Sequence, residues 1–174
     1  MKTFGLFVCL VVFATMVDAK PALLVSKKQR FSIVVNPPVG WNGPAYTAAP
    51  SYETWSLGKG KDADSASYIE IRIDPVRGPK LNLNTATAEQ VKKTFDDFTN
   101  PEVAKIADVI IGEIPVVIWA VHNVDGELLI ADLRHGGCDF HFSLRANSAK
   151  ELRRYEKTFL DVVKSIQILP KKHE

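Results

Sequence analysis

The sequence predicts an α+β domain, an antiparallel β-sheet flanked by helices. Three observations carry that expectation. Apolar and polar residues alternate through 29–35, 67–74 and 138–145, the period of a half-buried strand. Two other segments carry apolar residues at helical spacing, each opened by a capping sequence. The later strand segments are separated by turns at 123–126 and 135–137, too short for the crossover a parallel pair needs.

The chain opens on an address and not on the fold. Lys2 supplies a positive start, Phe4 to Val17 is apolar, and Val17 and Ala19 occupy the −3 and −1 positions of a cut after Ala19. This is the pattern of a secretory signal peptide, too short for a spanning helix of ~20 apolar residues. Residues 1–19 are therefore expected to be removed on export to a periplasm or the extracellular space, with no transmembrane segment left after processing. Residues 20–28 read as a lead-in, 29–170 as a single domain and 171–174 as a basic tail.

Within the domain, Phe31, Ile33 and Val35 share one face of the first strand, which Asn36-Pro37-Pro38 stops. Residues 36–51, rich in proline and glycine, read as a long stiff loop bearing Trp41 and Tyr46. A second strand spans 52–57, a polar loop 58–64, and a third strand 67–74, with Ile69, Ile71 and Ile73 opposite Glu70 and Arg72. Thr87-Ala88-Glu89-Gln90 fits a capping box, followed by the stripe Val91, Phe95, Phe98. Asn100-Pro101 closes that helix, and residues 103–107 are expected to add a short helical turn.

A meander follows. Residues 108–114 and 116–122 are extended, Asp125-Gly126 suits a tight turn, 127–133 returns, and 138–145 is the last expected strand. Cys138, Phe140, Phe142 and Leu144 share one of its faces, Asp139, His141, Ser143 and Arg145 the other. Ser148-Ala149-Lys150-Glu151 is a second capping box. It opens the strongest helix, with Leu152, Tyr155, Phe159, Val162, Val163 and Ile166 in one stripe and Pro170 as the stop.

The charge balance excludes little but one class: a formal net charge of +2 gives no basic face for nucleic acid. The small clusters Lys27-Lys28-Arg30, Arg153-Arg154 and Lys171-Lys172 read as solvated edges. Of two cysteines, Cys9 lies in the leader, so Cys138 has no internal disulfide partner in the mature chain and is expected to be buried.

Several short stretches of this sequence resemble the Mog1/PsbP-like (PsbP/DcrB-like) superfamily. They are Phe31-Ser32-Ile33 leading to a proline and Gly40-Trp41, then Gly112-Glu113-Ile114-Pro115 before a long strand, then Tyr155, Phe159 and Val163-Lys164-Ser165-Ile166 in the last helix. The resemblance spans residues 31–168 and implies a Mog1/PsbP-like α/β sandwich. It also implies mostly non-enzymatic work as an extrinsic subunit, assembly factor or binding partner of other proteins.

Two site candidates stand out. Trp41, Tyr46 and Tyr52 concentrate aromatic side chains on or beside a stiff loop, which suits anchors for a protein partner because they lose little entropy on binding. An inhibitor or immunity role fits the same features. The alternative is a metal-dependent or thiol hydrolase at His135, Cys138 and His141, whose imidazole and thiolate groups suit zinc or copper. Strand parity counts against that trio, since Cys138 and His141 face opposite ways. No nucleophile elbow or phosphate-binding loop is present, Gly58-Lys59-Gly60-Lys61 lacking the P-loop spacing, and no cofactor is expected.

Overall fold

A computed structural model describes residues 20–28, 31–59, 67–95, 99–123 and 126–170, with only the backbone of Asn123. The expected leader, the polar loop from residue 60 to 66, Phe98 and the basic tail lie outside the described residues.

Among the described residues, ten strands and two helices follow in the order β1 (Ala22–Val25), β2 (Phe31–Val35), β3 (Asn42–Ala48), β4 (Glu53–Lys59), β5 (Ser67–Pro75), α1 (Ala88–Lys93), β6 (Glu102–Ile111), β7 (Ile114–Asn123), β8 (Gly126–His135), β9 (Cys138–Ala146), α2 (Ala149–Ser165) and β10 (Gln167–Pro170). They form a seven-stranded sheet ordered β3-β4-β5-β9-β8-β7-β6 and a three-stranded sheet ordered β1-β2-β10. Every pairing is antiparallel, as the short turns require for β6–β7, β7–β8 and β8–β9.

One face of the large sheet is the core. Ile69, Ile71 and Ile73 of β5 and Phe140, Phe142 and Leu144 of β9 point into it, along with Leu129, Ala131 and Leu133 of β8. Phe159, Val162 and Val163 of α2 close it from above, together with Ile33 and Val35 of the small sheet. Among the described residues, the opposite face is covered by α1 and the segment before it, toward β7 and part of β8. There Val91 of α1 and Leu83 pack on Val117 and Trp119, and the Trp119 indole donates to the Leu83 carbonyl at 2.9 Å. The remainder of that face is polar and open.

Four expectations are corrected. The lead-in contains β1, which pairs Leu24 with Ile33 and buries Leu24. The 36–51 loop contains β3, an edge strand that a chain so rich in proline and glycine can form because its outer side needs no hydrogen-bond partner. A Cβ at Gly43, where φ is +111°, would come within 2.5 Å of the Ser56 carbonyl, so only glycine lets β3 approach β4 there.

The expected helical turn at 103–107 is the first half of β6. A bulge between Lys105 and Ala107 shifts the register, so Val103 faces α1 while Val109 and Ile111 face α2. That change of parity hides the strand from a period-two reading. Finally, Pro170 does not stop α2. The helix ends at Ser165, and β10 follows at once with Ile168 paired to Ile33.

The two expected capping boxes differ. At α1 both halves form between Thr87 and Gln90. At α2 the Ser148 hydroxyl accepts from the Glu151 N–H, but the Glu151 carboxylate takes its hydrogen bonds from Asn147 N–H and the Ser67 hydroxyl. The start of β5 and the residue before the cap have captured the acid that would have closed the box.

Candidate functional site

The open face of the large sheet carries a charged lattice built from strand register. Arg72 of β5 lies opposite His141 of β9, which lies opposite Asp132 of β8. One rung along, Asp74 lies opposite Asp139, which lies opposite Arg134. Successive same-face residues on three adjacent strands thus place three carboxylates among two guanidiniums and an imidazole.

Distances show how the charges settle. Arg72 binds Asp74 at 3.0 Å, and Arg134 grips Asp139 through Nε at 2.7 Å and Nη2 at 3.2 Å. His141 spans two carboxylates, with Nδ1 2.7 Å from Asp132 and Nε2 3.1 Å from Asp74. Lys80 closes the group at 3.1 Å from Asp132. Burial pushes the Asp132 carboxyl up, but the hydrogen bond and charge of His141, with the charge of Lys80, outweigh it and hold Asp132 below the ordinary range.

Lys80 reaches this position because the chain turns back after β5 at Gly78-Pro79. Val76 N–H donates to the Gly137 carbonyl at 3.0 Å. Asn84 then ties the returning segment down, donating to the Asp132 carbonyl at 3.1 Å and accepting from Val117 N–H at 2.9 Å. Between this segment and the β3–β4 turn lies a cleft of about 410 Å³ lined by Ser51, Arg72, Asp74, Arg77, Lys80 and His141 among others. Tyr52 stands beside it, with the Arg72 guanidinium 4.0 Å over its ring.

The three residues of the alternative, hydrolase reading stand apart. Cys138 is buried in the core and burial, then the Asp139 charge, raises its thiol pKa. His135 stands at the exposed hairpin tip, its ring edge-on to Phe31 at 5.7 Å. His141 is on the opposite face from Cys138, held by Asp132 and Asp74. Among the described residues, no group of three or more His, Cys, Asp or Glu is arranged to hold a metal ion.

The three aromatic candidates take separate places. Trp41 packs edge-on against Tyr155 of α2 at 5.3 Å. Tyr46 leans on Trp55 at 5.5 Å and donates its hydroxyl to Glu53 at 2.7 Å, which raises its own pKa. Tyr52 instead lies beneath the Arg72 guanidinium, beside the cleft. Sequence parity could have aligned Arg72 with Asp74 and Asp139 with His141. Asp132 is near enough in the chain to be noticed beside His141, but Lys80 is not, because the returning segment supplies it.

The seven-stranded antiparallel sheet with α2 and a small sheet on one face defines a PsbP-like fold. The solution structure of cyanobacterial PsbP (CyanoP) from Synechocystis sp. PCC 6803 matches with a TM-score of 0.52 at 16% identity, over 87% of this chain and 94% of that one. No family model matches the sequence, and no curated protein does.

Proposed function

We propose that this chain is an exported module that acts by binding a protein partner rather than by catalysis, as an extrinsic subunit, assembly factor or inhibitor. One observation carries the reading: β3 is a seven-residue edge strand, six of its residues are exposed, and Tyr46 alone is half-buried. An exposed edge offers unpaired N–H and C=O groups to a strand of another protein, and neighbouring side chains supply specificity. Here Trp41 and Tyr46 are held rigid by Tyr155, Trp55 and Glu53, so binding would order little further.

The open face favours binding over chemistry for a related reason. Both ring nitrogens of His141 are engaged by carboxylates, so neither is left to take a substrate proton. Cys138 lies beneath the sheet, out of its reach. Export follows from the leader pattern at 1–19.

The test is capture of a partner from the native compartment by the mature chain, repeated with a Trp41→Ala/Tyr46→Ala double variant and with Tyr52→Ala. Circular dichroism would first establish that each variant folds. Loss of one specific partner with the folded variants supports the reading; undiminished capture by both sinks it.

A further inference from the structure

We propose that the cleft between the β3–β4 turn and the segment after β5 is an oxyanion-binding site, built to take a carboxylate or phosphate group. The argument is one of charge satisfaction. Three carboxylates stand in or beside the cleft, and each is already held by a permanent cation within 3.1 Å: Asp74 by Arg72, Asp132 by Lys80 and Asp139 by Arg134, while His141 lies between Asp74 and Asp132. None is left to attract a cationic ligand.

The cations are not exhausted in the same way. Four permanently charged side chains surround the lattice: Arg72, Arg77, Lys80 and Arg134. Arg77 lines the cleft, is exposed, and makes no ion pair with any described residue. A guanidinium presents five N–H donors, and Arg72 spends only Nε and Nη2 on Asp74, so both arginines retain donors toward the cleft. Lys80, its side chain 47% exposed, directs one N–H at Asp132 and one at the His141 ring 3.2 Å away, which leaves a third for the cleft.

The frame is stiff where it matters. Arg72 is fixed between Asp74 and the Tyr52 ring, and Lys80 between Asp132 and the anchored segment around Asn84. Donors held in place before the ligand arrives lose little freedom on binding it. Planar forks such as Arg72 and Arg77 match the two oxygens of a carboxylate or phosphate. The site needs no protein partner, so it stands or falls separately from the reading of β3.

The experiment is a titration of the mature protein, followed by amide chemical shifts, with two probes in separate arms: inorganic phosphate, and a capped hexapeptide of glutamate. Arg77→Gln is the diagnostic variant, since Arg77 has no ion pair with any described residue whose loss could unfold the chain. Lys157→Gln, on the exposed face of α2, is the control for general surface charge.

The expected result is saturable shifts confined to residues 72–80 and 139–141 with at least one probe. Apparent affinity should weaken about tenfold in Arg77→Gln, the effect of losing one charge-assisted contact, and stay unchanged in Lys157→Gln. The probe that saturates at the lower concentration identifies the source of the oxyanion. Linear shifts with both probes, shifts scattered over surface lysines, or wild-type binding by Arg77→Gln would each overturn the proposal.

Discussion

Glu53 has no exposed surface, yet it carries a charge. Hydrogen bonds explain how. The Ser26 and Tyr46 hydroxyls and the backbone N–H groups of Lys27 and Lys28 all donate to its carboxylate. Burial pushes its pKa up, and these four donors outweigh burial and bring it below the ordinary value. The same bonds pin the chain after β1 to β4, so one side chain joins the two sheets. Glu53→Gln replaces an acceptor oxygen with an amide donor and should cost about 1–3 kcal/mol in urea unfolding at neutral pH. Cys138 gives a second expectation at this scale. Its thiol is buried and its pKa raised, so a thiol reagent should label the native protein only as fast as the chain opens. Rapid labelling without denaturant would contradict that burial.

Elements owe their ends to single residues. At α2 the Ser148 hydroxyl satisfies the Glu151 N–H, and losing such a cap costs about 1 kcal/mol. Ser148→Ala should lower stability by that amount in the same unfolding assay, while Phe159→Ala, in the buried stripe of α2, should cost about 3–5 kcal/mol. β6 is governed by its bulge. Ile106 is the extra residue between the Lys105–Trp119 and Ala107–Ile118 pairs, so deleting it would straighten the strand and leave Val109 opposite Val116 and Ile111 opposite Ile114, both still facing α2. The deletion should therefore cost little more than Ile106→Ala, whose side chain is already 37% exposed. Comparing the two by thermal unfolding separates the backbone role of this residue from its side chain.

For the molecule as a whole, Glu53 and Asp132 make stability depend on pH in one direction. Both carboxyls sit below their ordinary range in the folded state, so each binds protons more weakly there than in the unfolded chain. The stability they contribute is present above their open-chain values, about 4, and is lost as pH falls through the lower folded ones. The midpoint of thermal unfolding should drop steeply below about pH 4, and less steeply in a Glu53→Gln/Asp132→Asn double variant. Much of this architecture was legible in advance. Parity placed Phe140 and Phe142 in the core and His141 outside it, and helical spacing placed Phe159 and Val163 beneath α2. Periodicity failed where a local rule was broken, at the bulge in β6 and in the glycine- and proline-rich β3. It failed too in β1 and β10, only four residues each, which are too short to show a period and gain their stability by pairing with β2. By itself the sequence determined the α+β class, the apolar face of each long element and the separation of Cys138 from His141, because these depend on spacing within one segment. Only the tertiary structure decided that Arg72, His141 and Asp132 share a rung, that Lys80 returns to join them and that Glu53 binds the two sheets together. Those contacts join residues far apart in the chain, and strand order and register, which no local pattern encodes, bring them within hydrogen-bonding distance.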